Sequence, residues 1–377
     1  MPIDFTQIPS PCYVIDETLL RKNLQLIQQV REASGTEILL SLKAFANWGL
    51  FPIFKEYGFR ASASSLNEAK LAYEELGTKA HTYSPAYDGR SFQDLLKYSS
   101  HLSFNSLHQF QKYGEWAVQK KITVGLRVNP EYSETPYDIY NPCKPGSRLG
   151  MTAQDLERGL PEGVEGLHVH ALFEADSFAL ERLLKVFMDR FGRLLPGLKW
   201  INLGGGHLLT QKGYDIDHLV RLLKDFRNRF DVEIILEPGS AFTYQTGYLV
   251  STVLDIVEHH GIKTAMLDVS FTCHMPDCLE MPYRPVILGA IEEDGQKPTY
   301  RMGGNSCLAG DVMGNWSFER ELKPGDPIVF QDMIHYTTVK TTMFNGVHHP
   351  SIGLWNDQSG FRLIKEFSYW DYKGRLS

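Results

Sequence analysis

The chain has 377 residues, of which 43% are hydrophobic and 22% charged, an ordinary composition for a globular protein with ample material for a core. Its formal net charge is −7 and no basic run exceeds the "QKK" at 119–121, which argues against binding to nucleic acid or to an anionic membrane. We predict a cytoplasmic protein with free thiols. The cysteines are scattered, no apolar stretch could span a bilayer, and the N-terminus is unlike a signal peptide.

Short apolar strands alternate with helical segments through the first 245 residues. The segments with helical periodicity include "SLNEAKLAYEELG", "SFALERLLKVFMDRFGRLL" and "IDHLVRLLKDFRNRF". Eight strand–helix alternations over roughly 200 residues predict a (β/α)8 barrel of the TIM type. A doubly wound sheet is the main alternative, although no GxGxxG motif follows the first strand. The predicted strands are "TEILLSLKA" (36–44), "FRASASS" (59–65), "AHTYSP" (80–85), "HLSFNS" (101–106), "ITVGLRVNP" (122–130), "GLHVHAL" (166–172), "WINLGGG" (200–206) and "VEIILEPG" (232–239).

The pattern changes after about residue 245. Strand-like and turn-rich pieces such as "TAMLDVSF" and "DPIVFQDMIHYTT" follow, and long helical patterns are missing, which predicts an antiparallel β domain. The N-terminal "SPCYVID" is also strand-like and could join that sheet. We therefore predict a barrel over residues 16–245 and a β domain formed by residues 1–15 and 246–377.

The ends of the barrel strands carry the candidate site, because barrel enzymes work at the C-terminal ends of their strands. The first strand, in "EILLSLKAFAN", is followed by Lys43 among small neighbours. An amine whose surroundings lower its pKa is nucleophilic and can form a Schiff base with a carbonyl group. The alternative is an ordinary lysine with its amine in solvent.

Two further strand ends carry groups that suit a phosphorylated ring. "NLGGGH" places Gly204, Gly205 and Gly206 after a strand, where backbone N–H groups can form a nest for phosphate, although an ordinary flexible turn has the same pattern. Glu237, in "LEPGSAF", ends an apolar strand, and a buried carboxylate needs a partner. A protonated pyridine nitrogen or Arg127 could be that partner.

"LHVHAL" contains two histidines, His168 and His170, which we predict to face opposite sides. One should face the barrel interior or mouth and the other the helix layer. We interpret His168 as a residue that stacks on a bound ring and leave His170 without a role. A zinc site is disfavoured, because there is no HExxH motif and no further ligand at suitable spacing.

The order of these motifs resembles the fold-type III pyridoxal-phosphate decarboxylases, the alanine-racemase-like barrels that include ornithine and diaminopimelate decarboxylases. The resemblance runs over essentially the whole chain, from "SLKA" through "LHVHAL", "NLGGGH" and "LEPG" to "GGNSCLAGD" (303–311) and "DMIHYTTVKTTMFNG" (332–346). Within that family, "CHMPDCLEMPYRP" (273–285), "SCLAGD" and "SRLGM" (147–151) are most similar to the carboxynorspermidine/carboxyspermidine decarboxylases. The resemblance implies decarboxylation of a carboxylated polyamine to norspermidine or spermidine.

The resemblance also implies roles for individual residues. Lys43 would form the Schiff base with pyridoxal 5′-phosphate, Glu237 would contact the pyridine nitrogen, and His168 would lie against the ring. Many relatives carry Arg or Glu at the position of Ser240, so the phosphate contacts at that corner differ here. The implied phosphate-binding residues are Gly204, Gly205, Gly206, Gly239, Ser240 and Tyr336.

The motif "SCLAGD" implies a homodimer with shared active sites, because in this family it reaches the site of the other protomer. Cys307 would act as the general acid that returns a proton after CO2 has left. The alternative interpretation is that Cys307 is only a small residue of the core. The substrate amines would pair with carboxylates, which are otherwise usually solvated surface groups. The implied substrate-binding residues are Asp277, Glu280, Asp311, Arg148 and His274.

Alternatives on the same scaffold remain open. They are a diaminopimelate or other basic amino-acid decarboxylase, and a racemase, which would need a second base opposite the lysine. A non-catalytic regulatory protein is disfavoured because Lys43 and Cys307 are both present. A metal-dependent barrel hydrolase is disfavoured by the missing ligand cluster.

Overall fold

The computed structural model describes residues 3–281 and 283–377. Residues 1 and 2 of the predicted 1–15 segment, and Pro282, lie outside the described residues. The chain divides into two compact units, Asn23–Phe242 and the combination of Met1–Lys22 with Thr243–Ser377. We call the first the barrel unit and the second the sheet unit.

The barrel unit is built on a parallel sheet that closes on itself. Its first strand is interrupted at Leu39, whose N–H donates to Leu236 O over 2.9 Å, while the N–H of Leu40 donates to Arg60 O over 2.9 Å. The two halves of this strand therefore pair with the last and the second strand of the barrel. The predicted (β/α)8 barrel is confirmed. Its strands are β2 (Glu37–Ile38), β3 (Leu40–Ser41), β4 (Ala61–Ala63), β5 (Ala80–Tyr83), β6 (Ser99–Phe104), β7 (Thr123–Val128), β8 (Gly166–Val169), β9 (Trp200–Asn202) and β10 (Glu233–Leu236).

Several helices of the barrel begin at a residue whose side chain caps them. The Ser65 hydroxyl accepts from the N–H of Glu68 at the start of one helix, and Gly77 ends the following turn with φ +77°. The helix predicted over 65–77 is α-helical only to Leu71 and continues as a single π-helical stretch, Ala72–Leu76. The helices are α1 (Glu17–Ser34), α2 (Phe51–Glu56), α3 (Leu66–Leu71), α4 (Phe92–Tyr98), α5 (Leu107–Gln119), α6 (Ser177–Phe191), α7 (Ile216–Phe230) and α8 (Ser240–Thr243).

A tryptophan fills part of the barrel interior. Trp200 is 2% exposed and packs with Leu39 and Ile235. A Cβ atom on Gly125 would lie 2.3 Å from the Trp200 ring, and one on Gly166 would lie 2.1 Å from it, so both positions require glycine. Because Trp200 fills this part of the interior, we expect the polar side chains of the site at the carboxyl ends of the strands.

The sheet unit contains a second, mixed sheet. Its strands are β1 (Cys12–Asp16), β11 (Gly247–His259), β12 (Ile262–Leu267), β13 (Ala290–Glu292), β14 (Thr299–Gly303), β15 (Val312–Phe318), β16 (Pro327–Gln331), β17 (Ser351–Asn356) and β18 (Gly360–Lys365). They lie in the order β13-β15-β14-β12-β11-β1-β17-β18, with β16 paired to β11. The prediction of a separate β domain is confirmed, but the sheet is not purely antiparallel. Two pairs, β1 with β17 and β12 with β14, run parallel, because their partners are joined by long connections rather than hairpins.

The helices of the sheet unit are short, as the sequence pattern predicts. They are α9 (Phe271–His274), α10 (Pro276–Glu280) and α11 (Tyr369–Gly374). Over the described parts of both units, no helix is long and apolar enough to cross a membrane.

Candidate active site

Three of the predicted residues meet at the carboxyl ends of the barrel strands. Lys43 lies two residues after β3, His168 lies in β8, and Glu237 follows β10 directly. The His168 Nε2 and the Glu237 Oε2 are 3.9 Å apart, and the charge of Glu237 acts on the amine of Lys43. The barrel therefore brings together an amine, an imidazole and a carboxylate that are far apart in sequence.

Lys43 lies in a recess of the barrel mouth. Its side chain is open to solvent, while protein surrounds the amine on its other sides. Burial and the charge of Arg127 lower the pKa of the amine, and Glu237 and Glu68 raise it by less. A lysine with a lowered pKa carries more uncharged amine at neutral pH, which is the nucleophilic form.

Glu237 is a half-buried carboxylate with one strong hydrogen bond. The Asn202 side-chain N–H donates to Glu237 Oε1 over 2.7 Å, and Asn202 itself is 2% exposed. Burial raises the pKa of Glu237, whereas the bond from Asn202 and the charges of Lys43 and Arg127 lower it. Among the described residues Asn202, rather than Arg127, is the hydrogen-bond partner of Glu237. Its Oε2 accepts no hydrogen bond from them and can receive a cationic N–H.

His168 presents a neutral ring. It is 3% exposed, and neither ring nitrogen makes a hydrogen bond within the described residues. Burial, Arg127 and Lys43 lower its pKa well below the ordinary value for histidine. The Tyr83 ring meets it edge-on at 5.4 Å between centroids. An uncharged imidazole without polar partners suits stacking against a flat ligand.

Tyr83 connects His168 to the loop that carries Arg148. The Arg127 guanidinium lies 4.5 Å from the centre of the Tyr83 ring, and the Tyr83 hydroxyl donates to Asn105 Oδ1 over 2.8 Å. The Asn105 amide in turn donates to the carbonyl of Arg148 over 2.8 Å. The side chain of Arg148 is exposed.

His170 contacts the glycine turn instead of the helix layer. The N–H of Gly205 donates to His170 Nδ1 over 3.1 Å, and the N–H of Gly204 donates to Asn202 Oδ1 over 2.8 Å. The prediction that the two histidines face opposite sides is therefore wrong. Residues two apart along a strand point to the same face, so strand alternation gives no reason to separate His168 from His170. Two of the three turn N–H groups already have side-chain partners.

The turn at Gly239 and Ser240 is tied to the glycine turn. The N–H of Glu237 donates to Gly204 O over 2.8 Å, so the two turns lie side by side. Ser240 is half-buried and begins helix α8, while Gly239 is buried. The predicted phosphate residues of the barrel unit are thus adjacent.

The other predicted residues lie in the sheet unit. Asp277 is buried, and its Oδ2 accepts from Thr337 over 3.1 Å and from Tyr283 over 3.3 Å. Its Oδ1 has no hydrogen-bond partner among the described residues, and burial raises the pKa of the carboxyl. Glu280 is exposed and forms an ion pair with Lys340.

His274 is buried and precedes Asp277 by three residues in the sequence. The N–H of Ser270 donates to His274 Nδ1 over 3.1 Å, so the ring proton lies on Nε2. Burial, together with His349 and His348, lowers its pKa to about 3. His274 is therefore neutral at physiological pH.

The loop that contains Cys307 is shaped by Asp311. Asp311 is 2% exposed, and its carboxylate accepts the N–H groups of Phe271 and Thr272 on one oxygen and Ser306 on the other. Both of its oxygens are therefore occupied by groups of the chain itself.

Cys307 differs from the other cysteines in its exposure, and Tyr336 has an unusual backbone conformation. Cys307 is exposed, whereas the other four cysteines are buried. Tyr336 has φ +49°, a region that a bulky residue rarely adopts, and such strain is typical of functional sites.

A family model described as "Pyridoxal-dependent decarboxylase, C-terminal sheet domain" matches residues 12–334. The chain belongs to the pyridoxal-dependent decarboxylase family. The enzyme is 47% identical over 372 residues to carboxyaminopropylagmatine decarboxylase of Synechocystis sp., covering 98% of this chain and 96% of the relative. It is 44% identical over 382 residues to carboxynorspermidine/carboxyspermidine decarboxylase of Campylobacter jejuni, covering 98% and 99%.

Solved structures agree with this assignment. The enzyme superimposes with a TM-score of 0.91 and 42% identity on carboxynorspermidine decarboxylase of Campylobacter jejuni complexed with norspermidine, over 98% of this chain and 100% of that chain. Diaminopimelate decarboxylase of Helicobacter pylori gives a TM-score of 0.81 at 18% identity, over 98% of each chain, which shows the shared fold. The expected resemblance to fold-type III decarboxylases is confirmed.

The residues of the barrel mouth fit pyridoxal 5′-phosphate. Lys43 offers a nucleophilic amine, Glu237 an oxygen without a donor, and His168 a buried ring whose two nitrogens have no partner among the described residues. These groups match an aldehyde, a pyridine nitrogen and a flat ring face. Within the described residues, no group of three or more His, Cys, Asp or Glu side chains could hold a metal ion.

Two residues of this site, Asn202 and Tyr83, are not predicted from the sequence pattern. Nothing in a single strand marks Asn202 as the partner of Glu237 or Tyr83 as the neighbour of His168. The available signal is their position, since both lie at the ends of barrel strands, where polar side chains are candidates.

Proposed function

We propose that this enzyme decarboxylates a carboxylated polyamine of the carboxynorspermidine and carboxyspermidine kind, yielding norspermidine or spermidine. The observation that carries the proposal is the near full-length similarity, at 42% identity, to an enzyme whose solved structure contains norspermidine. The diaminopimelate decarboxylases compared with this chain, the alternative on the same fold, are only 18–26% identical. They support the fold and not the substrate.

Lys43 would hold the cofactor covalently through Nζ. When bound, pyridoxal 5′-phosphate supplies a ring that accepts the electron pair released as CO2 leaves. Burial and Arg127 lower the pKa of Lys43, which increases the fraction of uncharged, nucleophilic amine at neutral pH.

Glu237 and His168 orient the ring and set its charge. The Oε2 of Glu237, which has no donor among the described residues, would accept the proton-bearing ring nitrogen, and Asn202 keeps the carboxylate in place through Oε1. His168 would lie against one face of the ring as a neutral imidazole. When the Glu237 carboxylate is paired with a positive charge, the free-energy cost of burying an unpaired carboxylate is avoided.

In the barrel unit, the two adjacent turns would hold the phosphate. Since the N–H groups of Gly204 and Gly205 already donate to side chains, Gly206 is the turn residue whose N–H has no partner among the described residues. The proposed set is Gly204, Gly205, Gly206, Gly239, Ser240 and Tyr336.

The amines of the substrate are recognised by the sheet unit. Asp277 is the best-supported carboxylate, because it is buried and one of its oxygens has no donor among the described residues. Glu280 and Asp311 have carboxylates already bonded to Lys340 and to backbone N–H groups, which makes them supporting residues of this surface. Arg148 and His274 complete the proposed substrate-binding set.

Cys307 is the general acid that protonates the carbon after CO2 has left. Its exposure in a single chain suits a homodimer in which it serves the site of the partner subunit. The molar mass of the enzyme in solution tests the dimer, and localisation of a tagged protein tests the predicted cytoplasmic location.

A second candidate substrate is carboxyaminopropylagmatine, which carries a guanidinium group. The 47% identity to the Synechocystis enzyme favours it. The two candidates differ in the cationic end that the substrate-binding carboxylates must accept.

A substrate panel decides between these proposals. Purified enzyme loaded with pyridoxal 5′-phosphate is assayed for CO2 release from carboxynorspermidine, carboxyspermidine, carboxyaminopropylagmatine, diaminopimelate and ornithine. We expect the highest kcat/KM with carboxynorspermidine or carboxyspermidine. The highest value with carboxyaminopropylagmatine would select the second candidate, and one with diaminopimelate or ornithine would refute both. As a control, Lys43→Ala should release no CO2 and should lack the visible absorption of the bound cofactor.

A further inference from the structure

Asn105 is a half-buried residue at the barrel mouth that the proposed chemistry does not use. It directly follows strand β6, so it lies at the carboxyl end of a barrel strand. Its side-chain amide contacts residues 147–151, which carry Arg148 and which we call the SRLGM loop. Asn105 and the loop both belong to the barrel unit.

The amide of Asn105 makes three hydrogen bonds. Its Oδ1 accepts from the N–H of Gly150 over 2.7 Å and from the Tyr83 hydroxyl over 2.8 Å. Its Nδ2 donates to the carbonyl of Arg148 over 2.8 Å. A backbone N–H can only donate and a backbone carbonyl can only accept, so a single orientation of the amide satisfies both loop groups. Asn105 therefore holds the chain on both sides of Leu149.

Backbone contacts hold the end of the SRLGM loop that follows Arg148. The N–H of Met151 donates to Arg127 O over 2.9 Å, so the loop ends against strand β7. Gly150 has φ +82°, and a Cβ atom there would lie 2.9 Å from the carbonyl carbon of Val128. The Arg148 backbone is thus fixed close to the barrel, while its side chain is exposed.

The bond from Tyr83 connects the SRLGM loop with the residues proposed to bind the cofactor ring. The Tyr83 ring meets the His168 ring edge-on, with 5.4 Å between the centroids. Asn105 accepts from Tyr83 and from the loop on the same oxygen, so it fixes the position of one relative to the other.

We propose that Asn105 is a positioning residue for substrate binding, which acts by fixing the backbone of Arg148 relative to Tyr83. The inference rests on the proposed role of Arg148 in binding the substrate. A loop that is ordered before the substrate arrives loses less conformational entropy when the substrate binds. The effect of Asn105 should therefore fall on substrate affinity, and not on cofactor binding or on the loss of CO2.

Two substitutions separate the bonds of Asn105. Aspartate has the same shape and can still accept from Tyr83 and Gly150, but an ionised carboxylate cannot donate to the carbonyl of Arg148. Leucine has the same branched arrangement of side-chain heavy atoms and removes all three bonds. Arg148→Gln, alone and combined with each Asn105 substitution, shows whether the effect passes through Arg148.

The variants are assayed as holoenzymes with the substrate that gives wild type the highest kcat/KM. We expect Asn105→Asp to raise KM about 5- to 10-fold and Asn105→Leu about 10- to 50-fold, with kcat within about threefold of wild type. The affinity for pyridoxal 5′-phosphate should stay within about twofold. Arg148→Gln should raise KM at least as much, and adding either Asn105 substitution to it should change KM by less than about twofold.

Two kinetic results would overturn the proposal. Losses that multiply in the double variants would show that Asn105 does not act through Arg148. A raised KM in Asn105→Asp but not in Asn105→Leu would assign the effect to the new charge instead of the lost bond.

Trypsin cleavage of the cofactor-free enzyme tests the anchoring of the loop without any activity. Cleavage after Arg148 requires local opening, so its rate follows the population of the open loop. Asn105→Leu should be cleaved there at least about tenfold faster than wild type, while cleavage after Arg158, which is exposed and lies outside the loop, should keep its rate. An unchanged rate after Arg148, or equal acceleration at both sites, would overturn the proposal.

The melting temperature of each cofactor-free variant checks its folding. If Asn105→Leu does not fold, Asn105→Asp decides the question in both assays, since it keeps two of the three bonds. A wild-type enzyme that releases no CO2 from any substrate of the panel would instead refute the proposed function, and the two failures are therefore distinguishable.

Discussion

Asn202→Leu is the substitution that most directly tests how the barrel positions Glu237. Asn202 is 2% exposed, and its side chain makes two hydrogen bonds. It donates to Glu237 Oε1 over 2.7 Å and accepts from the N–H of Gly204 over 2.8 Å. Leucine has the same branched arrangement of side-chain heavy atoms and no polar atom, so the change removes both bonds.

The cost of this change follows from the two partners that lose a bond. A hydrogen bond to a charged group contributes about 1.5–3 kcal/mol, and a buried N–H without a partner costs about 1–3 kcal/mol. Glu237 keeps 15% of its side chain exposed, so water replaces part of its lost bond. Gly204 is buried and receives no such replacement. We expect the free energy of unfolding of the cofactor-free enzyme to fall by about 2–4 kcal/mol.

The substitution should also change the pH dependence of catalysis. The bond from Asn202 lowers the pKa of Glu237, so its removal raises that pKa further. Glu237 stabilises a protonated ring nitrogen only when it is ionised, which requires a pH above its pKa. The acid limb of kcat/KM should therefore move to higher pH, and cofactor affinity at pH 7 should fall about tenfold.

Urea unfolding of the cofactor-free enzyme and the pH profile of kcat/KM measure these effects. Ser251→Ala is the matched control, because it removes one buried hydrogen bond, from Ser251 Oγ to Ile328 O over 2.9 Å, in the sheet unit. The control should lose about 1 kcal/mol of stability and keep the acid limb of wild type. An Asn202→Leu enzyme with the acid limb and stability of wild type would show that Asn202 does not position Glu237.

Three further predictions concern other parts of the molecule. Cys307→Ala should lower kcat by about 10²- to 10⁴-fold, the usual contribution of a general acid, with unchanged cofactor affinity, and unchanged turnover would remove Cys307 from the mechanism. Tyr83→Phe loses the bond to Asn105 Oδ1, so KM should rise several-fold with cofactor binding retained, and loss of the cofactor instead would contradict the proposed link to the Arg148 loop. Burial and Arg60 lower the pKa of His101 from 6.5 to about 4, so the unfolded state takes up a proton as pH falls below 6.5 while the fold does not. His101→Phe should therefore cut the loss of stability between pH 7 and pH 5 by about 2 kcal/mol, measured by urea unfolding, and an equal loss in both proteins would refute this.

The sequence by itself determines the barrel and the main chemical groups of its mouth. Eight apolar strands, each followed by a helix or a turn, bury their own side chains and leave their carboxyl ends for polar residues. Lys43 and Glu237 stand directly after such strands, so strand boundaries are sufficient to place them on one rim. Glycines in a row after a strand likewise predict a tight turn from backbone freedom alone.

The tertiary structure decided which groups pair with which. The sequence does not show that the N–H of Gly205 donates to Nδ1 of His170, because the two residues belong to different strand–turn units. Asn202 ends β9 and Glu237 directly follows the neighbouring strand β10, so their bond depends on the register between those strands. Local periodicity specifies which face a residue occupies within its own element, whereas hydrogen bonds between elements depend on register and on where each strand ends.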